Sequence, residues 1–411
     1  MAEYRKDPLV ERWVIIAPDR AGRPHEFVET ESVRRGGLCP FCAGSESETT
    51  PEVDAVREAG TAKNGPGWRV RAVVNKFPFL EIVPEGERGR EGAGERTADV
   101  ASLPRSPSPT LPLSTDLANS RSPIELALRN AAPAVGKHEV LIESPTHVTR
   151  SGELSVEQLT DVLRLYRSRL AELRRESGIR YVQIFKNVGE AGGASIEHLH
   201  SQLAALTIVP AAVAEEHAAS LAYHAEQGRC AFCDLIAAEL AAEVRIVEQT
   251  PSYVVACPYA SRFSYEMQLL PRRHAADFDG LSDAELAELA AVLRRTLLRV
   301  ESFGARPAYN VVLHTDSFDS FGPEYYHWHM EVLPRGSKQA GFEWATGVFV
   351  NAVAPEAAAT VLRRTLGTSE GKGPPLETSA VETSPVDSEA GDGREAGDCK
   401  TGVTRRGEFA D

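Results

Sequence analysis

No apolar run in this chain approaches the roughly 20 residues that a helix needs to cross a bilayer. The first residues, Met1–Arg5, also lack the basic and then apolar pattern of a secretory signal. These two absences predict a soluble protein that makes no membrane contacts and works in the cytoplasm. Cysteines stay reduced in that compartment, so disulfides are not expected.

Positive charge is scarce as well. The chain carries 45 Lys and Arg residues against 59 Asp and Glu residues, which gives a formal net charge of −14 at pH 7. Nonspecific binding to nucleic acid or to a membrane surface draws on a basic protein surface. The charge balance therefore argues against nucleic-acid partners and against a membrane-surface protein.

Two segments lack the periodic apolar pattern of helices and strands. Residues 86–122 are rich in Gly, Pro, Ser, Arg and Glu, and residues 367–411 combine acidic residues with many Gly, Ser, Thr and Pro. Neither composition can bury a core. We expect a mobile insertion at 86–122 and a disordered tail at 367–411.

Cysteine is infrequent, yet four of the six cysteines fall into two Cys-x-x-Cys pairs. The pairs are Cys39 with Cys42 and Cys230 with Cys233. In a reducing compartment this spacing is typical of metal ligands rather than of a disulfide framework. Attention therefore turns to the histidines that accompany each pair.

A His-x-His unit follows each cysteine pair. Residues 198–200 read His-Leu-His and continue as Ser-Gln, and residues 327–329 read His-Trp-His. Side chains two residues apart on a strand point to the same face, so His198, His200 and Gln202 would share one. That arrangement suits one histidine fixed by a metal and a neighbouring histidine that is free to react.

The order of elements repeats in the two halves of the chain. In each half a cysteine pair precedes strand-like segments, a histidine after a strand, an amphipathic helix, a further strand and the His-x-His unit. The spacing agrees too: His147 to His198 is 51 positions, and His274 to His327 is 53. We predict an α+β protein built from a duplicated unit, with two antiparallel-sheet halves and helices packed on them. The predicted halves are residues 1–210 and 211–366.

Each half thus offers two cysteines and two histidines. Thiolate and imidazole groups are the ligands that structural zinc prefers in tetrahedral sites, so we predict two structural zinc ions per chain. The ligands of the first site would be Cys39, Cys42, His147 and His198. The ligands of the second site would be Cys230, Cys233, His274 and His327.

His138 competes with His147 as the third ligand of the first site. The repeat aligns His147 with His274, whereas a tyrosine falls opposite His138. His147 is therefore preferred. We expect the histidines without a partner in the repeat to pack in the protein or face solvent: His25, His217, His224 and His314.

Taken together, these residues resemble the galactose-1-phosphate uridylyltransferase family, the transferase branch of the histidine-triad superfamily. The resemblance covers about residues 7–366. Beyond the zinc and His-x-His motifs, it rests on an opening strand with an Arg-Ala-x-Arg-Pro signature and on a nucleotide-binding loop. It also includes an Asn and a Ser that stand eleven and three positions before the zinc histidine, and a closing segment. In this chain the opening strand and its signature are residues 7–24, and the nucleotide-binding loop is residues 74–78. The Asn and the Ser are Asn187 and Ser195, and the closing segment is residues 349–356.

The resemblance implies a double displacement on a nucleotide sugar. His200 would attack the α-phosphorus of UDP-glucose, expel glucose 1-phosphate and hold the uridylyl group until galactose 1-phosphate accepts it. Imidazole suits this role because its unperturbed pKa near 6.5 leaves it neutral at pH 7. His198, held by zinc, would keep the strand rigid without taking part in the chemistry.

The family also implies roles for the residues around the nucleophile. The catalytic residues would be His200, Gln202 and Ser195. The substrate-binding residues would be Arg20, Arg23, Asn75 and Asn187. The glutamine would donate to a phosphoryl oxygen, while the serine and Asn187 hold the diphosphate. The arginines would supply positive charge for the substrate phosphates, and Asn75 would contact the nucleotide.

The match departs from the usual family motif, His-Pro-His-Gly-Gln, at Leu199 and Ser201. The form His-x-His-Ser-Gln is more like a sister branch of plant-type nucleotide-sugar phosphorylases that act on ADP-glucose. Adenylyl transfer from ADP-glucose by the same mechanism is therefore the alternative to uridylyl transfer. His329, which is followed by Met330 rather than by Ser-Gln, is interpreted as a non-catalytic relic.

Other classes of protein remain as alternatives. The cysteine pairs alone would fit a zinc-ribbon binding module for nucleic acid or protein, but the acidic charge argues against it. A hydrolase of the small histidine-triad type would need water to reach the intermediate. The family resemblance further implies a homodimer in which residues 342–347 reach a neighbouring active site.

Overall fold

The computed structural model describes most of the chain between residues 2 and 366. The described ranges are 2–10, 12–18, 39–81, 133–304, 308–320, 322–336 and 339–366. Arg20, Arg23, the expected insertion at 86–122 and the expected tail at 367–411 lie outside these ranges. Among the described residues, no helix is both long enough and apolar enough to cross a membrane.

Thirteen strands and six α-helices lie in the described ranges. The strands are β1 Glu3–Lys6, β2 Trp13–Ile16, β3 Glu52–Arg57, β4 Trp68–Val74, β5 Gly136–Ile142, β6 Tyr181–Val188, β7 His200–Leu206, β8 Ile246–Gln249, β9 Tyr253–Ala256, β10 Met267–Pro271, β11 Tyr309–His314, β12 His329–Pro334 and β13 Phe349–Asn351. The helices are α1 Val156–Leu173, α2 Ala211–Gln227, α3 Ala231–Ala242, α4 Asp283–Glu301, α5 Gly341–Thr346 and α6 Pro355–Arg364.

Ten of the strands form one antiparallel sheet in the order β3-β4-β5-β7-β6-β11-β12-β10-β9-β8. Read from either edge towards the centre, the two groups of five strands have the same order. The halves join where β6 pairs with β11, and this register places Asn187 opposite Asn310. The α+β class with a duplicated antiparallel unit is thus confirmed.

α1 and α4 cover one face of this sheet and begin in the same way. Ser155 Oγ accepts a hydrogen bond from the backbone of Gln158 over 3.1 Å, and Ser282 forms a capping box with Glu285. These bonds satisfy backbone donors of the first helical turn. Apolar side chains then recur at helical spacing along both helices, which pack on the sheet and on each other. The main hydrophobic core lies on this face.

The opposite face of the sheet carries the two cysteine pairs. The buried ring of Phe41 lies in an apolar cluster with Ile142 of β5, and that of Phe232 lies in one with Leu270 of β10. Each ring sits within a Cys-x-x-Cys motif. Strand alternation therefore places the core on one face and the predicted metal ligands on the other.

A small second sheet ties the start of the chain to its later part. β1 and β2 are antiparallel, and β13 pairs with β2 in parallel. Arg5 Nη1 lies 2.9 Å from Glu356 Oε1 of α6, which adds an ion pair between the same regions. The opening segment is thereby anchored to the second half.

Candidate active site and metal centres

His200 is the first residue of β7 and lies beside β5. The register pairs His200 with Ile142 and Gln202 with Val140, and residues paired across a sheet point to the same side. His200 and Gln202 therefore face away from the helix-covered core. The predicted nucleophile and the predicted glutamine donor share one surface.

The imidazole of His200 has a fixed orientation. Its Nδ1 donates to the backbone carbonyl of His198 over 2.8 Å, which leaves the Nε2 lone pair free. Only 7% of His200 is exposed. This burial lowers the pKa of His200 below the usual histidine value, although the hydrogen bond acts in the other direction. The ring is therefore neutral at pH 7 and has one nitrogen available for attack.

Gln202 lies next to side chains from neighbouring strands. His138 Nε2 is 2.9 Å from Gln202 Oε1 and 3.2 Å from Asn75 Nδ2. The ring of Phe79 packs on His138, with ring centroids 4.1 Å apart. Asn75, predicted to contact the nucleotide, is thus brought to the same surface as Gln202. His138 is not one of the zinc-type ligands, as the repeat predicted.

The two predicted diphosphate ligands lie close in sequence between β6 and β7. Asn187 is near the end of β6, and its Oδ1 accepts a hydrogen bond from Asn310 Nδ2 over 2.8 Å. Ser195 is exposed in the loop that follows. That loop turns at Gly189, whose φ of +72° is a conformation that favours glycine. The loop leads directly into the His-x-His unit.

The four predicted ligands of the first metal site come together. Cys39 Sγ and Cys42 Sγ lie 3.5 and 3.6 Å from His198 Nδ1, and Cys42 Sγ lies 3.8 Å from His147 Nδ1. A tetrahedral zinc ion bound at about 2.0–2.3 Å needs ligand atoms roughly 3.5 Å apart. The donor set and its spacing therefore fit zinc.

His198 is prepared to act as a ligand through Nδ1. Its Nε2 donates to the carbonyl of Ser144 over 2.8 Å, which fixes the tautomer and leaves Nδ1 unprotonated. Burial lowers the pKa of His198 to about 4, so the ring is neutral at pH 7. The same residue thus offers a possible ligand nitrogen through its side chain and orients His200 through its carbonyl.

The second predicted site repeats this geometry. Cys233 Sγ lies 3.5 Å from His274 Nδ1 and 3.6 Å from His327 Nδ1, and Cys230 Sγ lies 3.9 Å from the same His327 atom. His327 Nε2 donates to the carbonyl of Pro271 over 2.9 Å. Both Cys2His2 groups therefore fit a tetrahedral metal of the zinc type.

A third group of possible metal ligands was not predicted. Ligand atoms of Glu216, His314 and His329 lie within 4.8 Å of one another, and the two imidazoles stack with centroids 4.4 Å apart. His314 Nε2 also lies 3.3 Å from Glu331 Oε2. Burial disfavours protonation of His314, but Glu216 and Glu331 outweigh it and raise the pKa. His314 therefore packs against His329, within a group that the repeat did not predict.

The position of Glu216 explains why sequence patterns did not predict this group. Glu216 lies on α2, which precedes the cysteine pair of the second half and has no counterpart before the first pair among the described residues. His314 was not predicted as a metal ligand either, because it has no partner in the repeat. The group offers two imidazole nitrogens and one carboxylate, a donor set that binds zinc and other first-row transition metals.

Two family models match consecutive parts of the chain. Residues 115–210 match the N-terminal domain of galactose-1-phosphate uridyl transferase, and residues 216–341 match its C-terminal domain. Together they span more than half of the 411 residues, and they contain the two His-x-His units.

Curated relatives are similar over most of their length. The ADP-glucose phosphorylase of Arabidopsis thaliana is 29% identical over 366 residues, which cover 88% of this chain and 92% of the relative. The galactose-1-phosphate uridylyltransferase of Thermotoga maritima is 24% identical over 373 residues, which cover 89% and 99%.

Solved structures give the same picture. The ADP-glucose phosphorylase of Arabidopsis thaliana with bound ADP-glucose has a TM-score of 0.68 at 28% identity, covering 88% of this chain and 98% of that chain. A uridylyltransferase structure has a TM-score of 0.61 at 26% identity, covering 89% and 99%. From these matches and from its duplicated fold, the chain belongs to the galactose-1-phosphate uridylyltransferase family of nucleotidyltransferases.

Proposed function

We propose that this nucleotidyltransferase works by double displacement through a covalent nucleotidyl group on His200. The observation that carries the proposal is the free and neutral Nε2 of His200 on the same surface as Gln202. The second half has a His-x-His unit as well, but Met330 follows it, so the active site is assigned to residues 1–210 and not to 211–366.

In the first step Nε2 of His200 attacks the α-phosphorus of a nucleotide sugar. The new N–P bond forms as the bond from phosphorus to the bridging oxygen breaks, and hexose 1-phosphate leaves with that oxygen. Gln202 would donate to a non-bridging oxygen on which negative charge develops. Ser195 and Asn187 would hold the diphosphate, Arg20 and Arg23 would offset its charge, and Asn75 would contact the nucleotide.

In the second step an acceptor oxygen attacks the same phosphorus and the N–P bond breaks. The lone pair returns to Nε2, so His200 is regenerated for another cycle. Catalysis of this kind depends on positioning and on charge stabilisation. We propose that zinc at both Cys2His2 groups cross-links the fold, and that His198 holds the reactive strand in place through its ligand position.

The donor and acceptor have two candidates, each favoured by a different observation. The names of both family models favour UDP-glucose as donor and galactose 1-phosphate as acceptor, hence a role in galactose metabolism. Ser201 and the similarity to the Arabidopsis ADP-glucose phosphorylase favour ADP-glucose as donor and phosphate as acceptor. The chemistry on His200 is the same in both.

We also propose that the protein is a cytoplasmic homodimer in which residues 342–347 reach the active site of the neighbouring subunit. α5 supports this because it buries none of its side chains: Phe342 is 48% exposed and Trp344 is 76% exposed. Exposed aromatic side chains on a short helix suit contact with another protein surface. The free cysteines of the described residues suit a reducing compartment.

The test uses UDP-glucose and ADP-glucose, each labelled at the α-phosphate and supplied without an acceptor. We expect acid-labile label on the protein together with one equivalent of released glucose 1-phosphate. The label should be absent from His200→Gly. His329→Gly, which changes the matching histidine of the second half, is the control and should still be labelled.

The outcome assigns the donor as well. Label from UDP-glucose alone supports uridylyl transfer, and label from ADP-glucose alone supports the phosphorylase-type reaction. If neither nucleotide sugar labels the protein, the double displacement is wrong.

A further inference from the structure

A cluster of four polar side chains lies buried behind the His-x-His strand. We name it the Glu143 cluster, and its members are Glu143, Tyr166, Lys186 and Ser201. Lys186 Nζ lies 2.5 Å from Glu143 Oε2, and Ser201 Oγ donates to Glu143 Oε1 over 2.5 Å. The Tyr166 hydroxyl forms a hydrogen bond with Ser201 Oγ. None of the four residues is more than 7% exposed.

The Glu143 cluster holds the reactive strand from the core side. Ser201 lies between His200 and Gln202, so its side chain points away from theirs into the core. The backbone N–H of Glu143 also donates to the carbonyl of Leu199 over 3.2 Å. Residues 199 and 201 are therefore both anchored, and these are the two positions that flank His200.

The duplicated half shows what the same fold contains where no reaction is expected. Lys186 of β6 pairs with Ser201 of β7, and at the equivalent place Leu313 of β11 pairs with Met330 of β12. Both residues of the second pair are buried. An ion-pairing lysine and a serine in one half thus correspond to two apolar side chains in the other.

The other two members of the Glu143 cluster, Tyr166 and Glu143, also lack a polar counterpart in the second half. Tyr166 lies eleven residues after the N-cap of α1, and Leu293 lies eleven residues after the N-cap of α4. β10 ends in Leu-Leu-Pro, so it offers no carboxylate in the place of Glu143. All four polar groups are therefore absent from the second half.

Stability alone does not account for the Glu143 cluster. Burying a charged pair costs a large desolvation free energy, and apolar residues of similar volume often stabilise a fold equally well or better. The second half of this same chain shows that the architecture accepts the apolar version. The polar residues of the Glu143 cluster therefore need another explanation, and the strand that they anchor indicates one.

We propose that the Glu143 cluster is a positioning device that sets the backbone around His200, so that Nε2 and Gln202 meet the same phosphoryl group. The proposal rests on the proposed role of His200. A glycine in place of Ser201, as in the usual family motif, has no side chain through which the strand could be anchored. The four members are positioning residues, because none of them reaches the reacting atoms.

The experiment transplants the apolar residues of the second half into the first. The quadruple variant carries Glu143→Leu, Tyr166→Leu, Lys186→Leu and Ser201→Met. We expect it to fold, to retain both metals and to bind nucleotide sugar with unchanged affinity. The single-turnover rate of label transfer to His200 should fall about 10- to 100-fold, the cost of a small misplacement of reacting groups.

Two single variants test the anchor if the quadruple variant does not fold. Ser201→Ala removes the hydroxyl and leaves the Lys186–Glu143 pair intact, and it should slow label transfer about tenfold at unchanged nucleotide affinity. Ser201→Thr keeps the hydroxyl and should restore most of the rate. Met330→Leu, at the matching position of the second half, is the control and should react like the wild type.

The possible failures are distinguishable. If the wild-type protein takes no label from either nucleotide sugar, the proposed function fails and the positioning role fails with it. If the wild type is labelled and Ser201→Ala reacts at the same rate, only the positioning role is wrong. The same conclusion follows if Ser201→Thr is as slow as Ser201→Ala, because the hydroxyl is then not what matters.

Discussion

His138 holds the side-chain amide of Gln202 in one orientation. Its Nε2 lies 2.9 Å from Gln202 Oε1, and the buried ring packs at a tilt of 46° against Phe79. Burial lowers the pKa of His138, so the ring is neutral, and it donates to Gln202 Oε1 in the tautomer that carries the proton on Nε2. With its oxygen occupied, the amide of Gln202 presents its NH2 group to the surface that it shares with His200.

The first prediction follows from this contact. Gln202→Ala should lower the rate of label transfer by about 10²-fold, as expected for loss of a donor to a developing oxyanion. His138→Leu leaves Gln202 in place but frees its rotation, so its effect should be smaller, about tenfold. Single-turnover labelling measures both rates. The same change in a half-buried histidine of α2, His224→Leu, is the control, and equal rates for all three variants would contradict the assignment.

The second prediction concerns pH. Because burial lowers the pKa of His200, the neutral and reactive form persists to lower pH than for an exposed histidine. The diphosphate of a nucleotide sugar has no group that titrates near pH 6, so kcat/KM for the donor reports the enzyme. We expect the acid limb of kcat/KM to be centred below pH 6.5, the usual histidine value. An acid limb centred at or above pH 6.5 would show that His200 is not the titrating nucleophile.

The third prediction concerns the metals. We expect two zinc ions per chain by elemental analysis, and loss of one in either Cys39→Ser or Cys230→Ser. Cys39→Ser should also slow label transfer, because His198 links the first site to the reactive strand. Cys230→Ser should mainly lower the free energy of unfolding, and it should slow label transfer less than Cys39→Ser does. A third metal that disappears only in His314→Ala would assign the Glu216 group, whereas far less than two ions in the wild type would contradict both sites.

The fourth prediction concerns stability. Arg169 of α1 donates to both oxygens of Glu139 on β5, over 2.8 and 2.7 Å, and both side chains are buried. Arg169→Met would leave the carboxylate buried without its partner, which typically costs 3–5 kcal/mol, so we expect a loss of about 4 kcal/mol in the free energy of unfolding. Urea denaturation measures it. The double variant with Glu139→Met should recover much of the loss, and a single variant of wild-type stability would show that the pair contributes little.

The fifth prediction tests the shared active site. The His200→Gly protein should be inactive alone. The double variant that carries both Phe342→Ser and Trp344→Ser should also be inactive alone. In a mixed dimer, one site would combine an intact His200 with an intact α5 from the other subunit. We therefore expect subunit exchange to restore part of the transfer activity. Light scattering should show a dimer throughout, and a monomer or an inactive mixture would contradict the shared site.

Strand alternation and the internal repeat were enough to predict that His200 and Gln202 share a face and that each Cys2His2 set comes together. Strand alternation placed His200 and Gln202 on one face, and the repeat selected His147 over His138. Both rules work because a strand has a fixed period and because duplicated elements bring equivalent residues to equivalent places. The roles of Ser195, Asn187 and Asn75 remain proposals, and Arg20 and Arg23 lie outside the described residues.

Contacts between distant segments could not be predicted in this way. Glu216 meets His314 and His329 from a helix without a counterpart in the repeat, so no comparison of the halves points to it. Lys186 is of a residue type that is mostly exposed, and only the fold reveals that it is buried against Glu143. The partner that makes burial tolerable lies 43 positions away in the chain.

The junction between β6 and β11 bears on how much of the chain an active fragment must contain. Asn187 is hydrogen bonded to Asn310 across that junction, so the loop that leads to the His200 strand is supported by the second half. Residues 1–210 alone would expose β6 as an open edge, which invites pairing with other chains. The second half therefore supports the first through its strand, whether or not it takes part in the reaction. We therefore expect the smallest active fragment to contain both halves.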